Sequence, residues 1–513
     1  MHLLARLRPF PPVDTAHRPE ASSARADDRT CHHKSSSLAI IWKKVPDHGR
    51  ISRGFNRLLQ KKEKCFMCAV IAEKMEFFGK NHVMIPWHES VKDESVPIKK
   101  ASIKDRATLI GRAGMIELSC GTGAWRVRDS MNILGRVIGV AVTADVGLTS
   151  INFSVSDNDQ FYSESLTLTG TGVNTEKLMQ MESFMDEMVL HDGNYTLGEV
   201  HRMLDEIDKA PQHWGNVSAG LASGLACSSF TFLLGGGLTE MAGAFVGAAI
   251  GHYVRKKMLG KRLQLVLAIC TSVAAACLSY ELVFLLLRFL FHVETSHEAG
   301  YIGSMLFIIP GFPLITSGLD MAKQDMRSGL ERLGHALVII VSGTMTGWLV
   351  AYFMNIQPGN FLPLGLSPLT LFLLRLPASF CGVFGFSTMY NSSPKMSATA
   401  GLIGMISNTL RLELVDLFGI PGAAAAFIDA LVSGLIASKV HHKLGYPRIA
   451  LTVPSIVIMV PGMFMYKSVY YLGTGALSVG MGWMTKAILM VVCMPLGLLF
   501  ARVLTDRRWR YDN

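Results

Sequence analysis

Two Pro-Gly dipeptides and two carboxylates stand inside runs of residues that are otherwise apolar. Pro310-Gly311 interrupts the run Tyr301 to Ser317, and Pro461-Gly462 interrupts Ile449 to Met465. Proline inside a helix removes one hydrogen bond and frees a carbonyl a turn back, here near Leu306 and Val457. The glycine that follows lets another group approach the backbone closely. In hydrocarbon, freed backbone groups are tolerated only against protein or a water-lined cavity. Each break falls in the fourth apolar run of a set of five. Breaks at corresponding places in two halves point to a binding site between those halves, with helix N–H groups for a carboxylate and freed carbonyls for an ammonium.

Asp429 lies mid-run among alanines, and Glu281 lies deep in another run. A carboxylate at such a depth costs roughly 2.5–3.5 kcal/mol on insertion scales, so it faces a cavity or a partner. Burial that raises its pKa would let it carry a proton. Arg375 and Arg411 are the candidate partners of Asp429. Arg288, on the same helix face as Glu281, favours a structural pair there. Asp320, Asp325 and Arg327 follow the first broken run, either as a solvated loop or as a gate over a cavity mouth.

Other chemistries find little support. The net charge is +10, but +8 of it lies in residues 1–100, and the later basic residues cluster between apolar runs. That placement argues against nucleic acid and for charge that sets membrane topology. Cys65-Phe66-Met67-Cys68 is a lone CxxC, whereas a zinc site needs two further ligands. Gly121-Thr122-Gly123 lacks the third glycine of a dinucleotide loop, Gly260-Lys261 is followed by Arg262 where a P-loop needs Ser or Thr, and no HExxH or GxSxG occurs. No cofactor, no metal and no enzyme activity are expected.

The elements that must position these residues read as an α-helical membrane protein preceded by a small α+β domain. Half of the residues are hydrophobic, with 48 glycines and 28 methionines. Residues 1–100 read as a disordered or mis-assigned extension. Arg6 and Arg8 interrupt the first apolar stretch before it reaches signal-peptide length. His17 to Ser37 has no apolar periodicity, and Met75 and Met84 are alternative starts. Residues 101–213 show helical spacing over 105–119, 125–137, 175–190 and 196–209, with alternating strands near 141–144, 150–155 and 162–169. Ten apolar spans follow near 214–235, 238–255, 263–287, 300–318, 333–354, 368–388, 397–416, 421–439, 447–466 and 477–502. Residues 214–356 form a first module of five spans and residues 357–513 a second. Lys and Arg crowd alternate loops, so both termini are expected on the cytoplasmic side. Five is odd, so the second module runs opposite to the first: a 5+5 inverted repeat. Gly243, Gly247 and Gly251, like Ala426, Ala430, Gly434 and Ser438, form small-residue stripes suited to close helix packing.

From about residue 105 onward the chain resembles the threonine/serine exporter family. Gly123-Ala124-Trp125-Arg126-Val127-Arg128-Asp129 is similar to that family's cytoplasmic motif. Ile309 to Asp320 is similar to its membrane signature, and Val460 to Ser468 to the Pro-Gly span of its C-terminal module. The resemblance implies a ten-span secondary exporter in the plasma membrane, driven by protons, with a cytoplasmic N-terminal domain. Its partners would be a small-molecule substrate, protons and the lipid bilayer, with a homo-oligomer left open. Threonine and serine are the expected substrates. A dicarboxylate, which would require Arg375 and Arg411 in the cavity, is the alternative, and a membrane-tethered hydrolase is a third reading. Gly123, Arg126 and Asp129 are expected to serve the cytoplasmic domain, with Arg126 and Asp129 pairing at i,i+3.

Overall fold

The computed structural model describes residues 87–510, apart from residues 92, 159, 293–297, 360, 362 and 363. The expectations for residues 1–83 and for the Cys65–Cys68 pair lie outside the described residues.

The first part is a helix-and-sheet layer. Helix α1 (Ile103–Ser119) starts where the Ser102 side chain accepts the Asp105 N–H, and α2 (Ala124–Ile138) ends at Gly139 in the left-handed region. Strands β1 (Ala141–Val146), β2 (Ser150–Asp157) and β3 (Gln160–Thr167) make an antiparallel sheet in that order. Ala144 faces Phe153 and Ile151 faces Leu166 across the ladders. The buried face of β2 carries Ile151, Phe153 and Val155, which pack with α1 and α2 in one apolar core. Helices α3 (Thr175–Leu190) and α4 (Leu197–Lys209) complete the layer. A Thr196–Glu199 capping box starts α4.

The second part is all helical. Its helices are α5 (Asn216–Leu233), α6 (Leu238–Gly260), α7 (Leu265–Phe291), α8 (Glu298–Gly303), α9 (Gly311–Ala322), α10 (Met326–Met354), α11 (Pro368–Met389), α12 (Pro394–Asp416), α13 (Gly422–Leu444), α14 (Arg448–Val457), α15 (Gly462–Gly473) and α16 (Leu477–Thr505). Among the described residues five helices are long and apolar enough to cross a membrane: α7, α10, α11, α13 and α16. Two bent pairs raise the number to seven, one bent by 59° at Pro310-Gly311 and one by 49° at Pro461-Gly462. The helices at the first, second and seventh expected spans, α5, α6 and α12, fall short of that standard. Glycine, serine and charge dilute their apolar content.

The two sets of helices have the same neighbours. In the first set α5 packs on α6, α6 on α7, α7 on α10, and α9 on α10. Raising each label by six gives the packing of the second set: α11 on α12, α12 on α13, α13 on α16, α15 on α16. The crossed pairs α9–α16 and α15–α10 obey the same rule, and α5 packs on its own counterpart α11. The correspondence extends to single residues. Helix α9 spans 311–322 and α15 spans 462–473; α10 spans 326–354 and α16 spans 477–505; every boundary is displaced by 151 positions.

Small residues set the close contacts of these helices. A Cβ at Gly247 would lie 2.7 Å from the Ala276 carbonyl oxygen, and one at Gly251 would lie 2.7 Å from the Ala276 side chain, so the glycine stripe seats α6 on α7. Gly434 packs against Ala501 and Gly497 against Ala430, which seats α13 on α16.

Candidate translocation site

At each break the backbone makes an inverse γ-turn. Pro310 has φ −80° and ψ 62°, and Pro461 has φ −78° and ψ 57°, both at the minimum expected for that turn. The Gly311 N–H donates to the Ile309 carbonyl at 2.8 Å, and the Gly462 N–H donates to the Val460 carbonyl at 2.7 Å. The carbonyls expected to be free are occupied. Leu306 O accepts the Ile309 N–H at 3.2 Å, and Val457 O accepts the Val460 N–H at 3.0 Å. A tightened, 3₁₀-type last turn absorbs the bond that proline cannot make.

The two breaks pack on each other reciprocally. A Cβ at Gly311 would lie 2.9 Å from Val457 and 3.2 Å from Val460. One at Gly462 would meet Ile309 and lie 2.7 Å from Leu306. These are the same contacts with the two halves exchanged. Phe230, Leu306, Ile309, Phe386, Val457 and Val460 enclose a void of only about 10 Å³ there. The crossing is apolar and closed, and the backbone groups expected to bind a solute are turned into local bonds.

Asp320 is fully buried, not part of a solvated loop. Its oxygens accept the Ala124 N–H at 3.1 and 3.2 Å and the Ser328 hydroxyl at 2.9 Å. Arg332 Nε lies 3.0 Å away, and the same guanidinium donates to Gly121 O at 3.2 Å. Gly123, the N-cap of α2, has no side chain with which to cap it. Asp320 supplies the missing anion at that helix N-terminus. A Cβ at Gly123 would lie 2.5 Å from Asp320 Oδ1, so glycine is what lets the carboxylate in. Asp325 forms a fork with Arg128 at 2.6 and 2.9 Å, Arg327 pairs with Asp145, and Glu331 accepts the Leu148 N–H at 2.7 Å. A second anchorage joins the layer to the α11–α12 turn. There Thr175 N–H donates to Tyr390 O at 3.0 Å, Asn391 Nδ2 donates to Asn174 Oδ1 at 3.1 Å, and Trp214 Nε1 donates to Ser392 O at 2.8 Å. The helix-and-sheet layer is thus tied to both sets of helices. Arg332, Tyr390, Asn391 and Ser392 were not singled out in the sequence. An uncapped Gly-Ala helix start was the available signal.

Asp429 is also fully buried. Its Oδ1 lies 3.2 Å from the Ser433 hydroxyl, which lies 2.7 Å from Ser407 Oγ. Arg411 Nε donates to Asn408 Oδ1 at 3.0 Å, and Asn408 Nδ2 donates to Ser379 Oγ at 2.8 Å. Arg411 also attracts Asp429 electrostatically. Arg375 is held instead by Glu413 at 2.7 Å and by Asp416. These side chains form one polar seam across α11, α12 and α13. Glu281 stands apart from it in the first set, buried beside Cys277 and Tyr280, whereas Arg288 is exposed. The structure therefore places Asp429 and Arg411 in one seam without an ion pair between them, and places Glu281, Asp320 and the Pro-Gly breaks elsewhere.

A cleft of about 960 Å³ opens between α2, α3 and the ends of α13, α14 and α16, and Arg126 and Asp129 line it. Arg126 does not pair with Asp129. It bonds Glu117 at 3.3 Å and Glu182 at 2.9 Å, because α1 and α3 bring one buried and one half-buried acid within reach. Burial pushes the Glu117 carboxyl up to about 7, against the pull of Arg126. This contribution to stability is present below the ordinary value of 4.5 and is lost as pH rises through about 7. Glu117→Gln is therefore expected to gain stability relative to the parent between pH 5 and pH 8, by on the order of 1–3 kcal/mol. Thermal unfolding of both proteins at the two pH values measures it. An unchanged difference would show that Glu117 stays ionised.

One family match spans the helix-and-sheet layer with the first set of helices, and another spans most of the second set. Residues 108–354, ending where α10 ends, match the family described as "Putative threonine/serine exporter"; residues 376–504 match that described as "Threonine/Serine exporter, ThrE". The chain belongs to the threonine/serine exporter family. Among curated relatives of this exporter chain is the "Probable succinate transporter subunit YjjP" of Escherichia coli (strain K12). It is 22% identical over 241 residues, covering 47% of the chain and 91% of the relative. The protein of that name in Klebsiella aerogenes is 25% identical over 220 residues, covering 41% and 81%. An uncharacterised Haemophilus influenzae protein is 27% identical over 129 residues, covering 24% and 42%. No solved structure matches the exporter chain. Family membership and the apolar helices make it a multi-pass membrane transporter.

Proposed function

We propose that this chain is a secondary active exporter of small amino acids such as threonine and serine, driven by the proton gradient across the plasma membrane. In this reading it crosses the bilayer ten times as a 5+5 inverted repeat. Both termini and the helix-and-sheet layer are cytoplasmic. The observation that carries the reading is the reciprocal packing of the two Pro-Gly breaks. Gly311 lies on Val457 and Val460 while Gly462 lies on Leu306 and Ile309, which is the contact pattern of two antiparallel copies. Gly385 on Ala226 and Gly382 on Ser229 make α5 and α11 antiparallel as well. An odd number of crossings per half produces that reversal. The seven spans recognised by apolar length become ten when α5, α6 and α12 are counted, their small-residue faces suiting helix-to-helix packing. Labelling of single cysteines at Lys261 and Arg507 is expected to reach both from the same side, and opposite sides would end the inverted repeat.

Asp429 is the proposed proton carrier, because it is a buried carboxylate on a membrane helix that accepts the Ser433 hydroxyl and whose Oδ2 has no hydrogen-bond partner among the described residues. Asp429→Asn is expected to abolish gradient-driven accumulation but to keep exchange of labelled for unlabelled solute. Uptake that still responds to the gradient would exclude Asp429. Dicarboxylate export is the second reading, favoured by the succinate transporter name of two relatives. Arg375 does not serve that reading, since Glu413 and Asp416 already neutralise it. Counterflow of labelled serine, threonine and succinate in proteoliposomes decides among these, and no counterflow of any would overturn the exporter.

A further inference from the structure

The floor of the large cleft carries more positive charge than its own acids engage. Arg448, at the start of α14, and Arg502, near the end of α16, both face it. Asp506 Oδ2 lies 3.6 Å from Arg448 Nη1 and 3.9 Å from Arg502 Nη1, beyond hydrogen-bond length in both cases. Arg448 Nη1 is buried with no hydrogen-bond partner among the described residues, and so is the hydroxyl of Ser438. Both belong to a narrow cavity of about 20 Å³ below the cleft, lined also by Thr452 and Arg502. A buried donor without a partner costs roughly 1–3 kcal/mol, so two at one spot call for a ligand.

Aromatic rings stand over this floor. Trp125 and Trp509 meet edge to face at 5.0 Å. The Arg502 guanidinium lies 5.5 Å from the first ring and 5.2 Å from the second, and Lys323 Nζ lies 4.5 Å from Trp509. Indole faces hold cations in place without supplying an anion. The two guanidiniums thus share one carboxylate, Asp506, at more than hydrogen-bond length, and the indoles hold Arg502 in place. A carboxylate is the anion that suits forked donors, since it accepts two parallel N–H bonds. The cleft above is wide enough for the remainder of a small organic acid or amino acid, whereas the cavity below holds little more than the anionic head.

We propose that Arg448, Arg502 and Ser438 form a carboxylate-binding station at the mouth of the transport path, with Trp125 and Trp509 as its cover. The proposal rests on the exporter reading and refines it by naming the solute group that is recognised first. Trp125 belongs to the helix-and-sheet layer, Arg448 and Arg502 to the second set of helices, and Trp509 to the turn after α16. A solute at this station therefore bridges the layer and the second set of helices.

The test uses the purified full-length chain, with tryptophan fluorescence and calorimetry as readouts. L-serine and succinate are expected to bind and to change the emission of Trp125 and Trp509, whereas L-serinamide, which lacks the carboxylate, is not. Arg448→Gln and Arg502→Gln are each expected to weaken binding at least tenfold, and Arg507→Gln, at an exposed position, to leave it unchanged. Trp509→Phe removes one of the two reporting indoles and is expected to reduce the emission change. Arg502→Lys and Ser438→Ala, expected to weaken binding by smaller factors, serve if the glutamine variants fail to fold. Equal binding of serinamide, or unchanged affinity in the arginine variants, overturns the station. Inorganic phosphate that binds more tightly than either carboxylate also overturns it, in favour of a phosphate or lipid-headgroup site. The exporter reading fails separately. Normal counterflow with unchanged half-saturation in Arg502→Gln would remove the station and leave the exporter. Carboxylate binding without any counterflow would do the reverse.

Discussion

Gly462→Leu and Gly311→Leu are each expected to abolish transport while leaving the protein inserted in the membrane. The reason is geometric. A single Cβ at Gly311 already stands 2.9 Å from Val457, and one at Gly462 stands 2.7 Å from Leu306. Both contacts are shorter than packed carbons allow. Extra methylenes in a filled core typically cost about 1–3 kcal/mol, and leucine adds several at the point where the two halves cross. The surrounding apolar spans still carry insertion into the bilayer. The expected loss is therefore in the closed crossing and the movement that must open it. Pro310→Ala and Pro461→Ala test what the breaks are for. The carbonyls at Leu306 and Val457 are hydrogen-bonded and the site is apolar, so half-saturation should stay within about twofold while the transport rate falls. Counterflow kinetics of both variants measure this. A loss of affinity on the order of tenfold would return solute binding to the breaks.

Asp320→Ala is expected to be the most destabilising single change at the junction of the layer and the helices. It leaves Arg332 buried without its carboxylate and removes the anion at the start of α2. Breaking a buried pair by removing one partner typically costs about 3–5 kcal/mol. Replacing both partners, as Asp320→Leu with Arg332→Met, should recover much of that loss, because no uncompensated charge remains. Thermal unfolding of the single and double variants, with limited proteolysis between α4 and α5, measures both effects. Equal damage in the two variants would mean that the α2 capping bond, and not the ion pair, holds the junction.

The elements were legible where the cause was local. Apolar stretches of membrane length and the alternation of β2 each depend on residues within a few positions of one another. So do the Pro-Gly breaks, since proline's missing N–H acts on the turn that contains it. The buried position of Asp429 was legible for the same reason, as a carboxylate amid alanines needs no distant partner to stand out.

The partners of the charged groups were not legible. Asp320 meets Ala124 and Arg332 meets Gly121 across roughly two hundred residues of chain. The i,i+3 spacing of Arg126 and Asp129 suggested a pair, but Arg126 bonds Glu117 and Glu182 instead, because the fold brings α1 and α3 against it. The correspondence of the halves was half visible. Leu306 to Gly311 and Val457 to Gly462 share little except Pro-Gly, because a lipid-exposed or core position accepts any apolar side chain of suitable volume. Proline and glycine are held by backbone geometry, which admits few substitutes. Pattern and backbone chemistry, read along the chain, determined that this protein has apolar spans with paired breaks. Only the folded chain decided that the breaks close on each other, that Asp320 is a buried fastening, and that Arg448 and Arg502 meet at one floor. Those outcomes depend on which distant surfaces come into contact, and burial is what converts an ordinary charge into a structural or binding one.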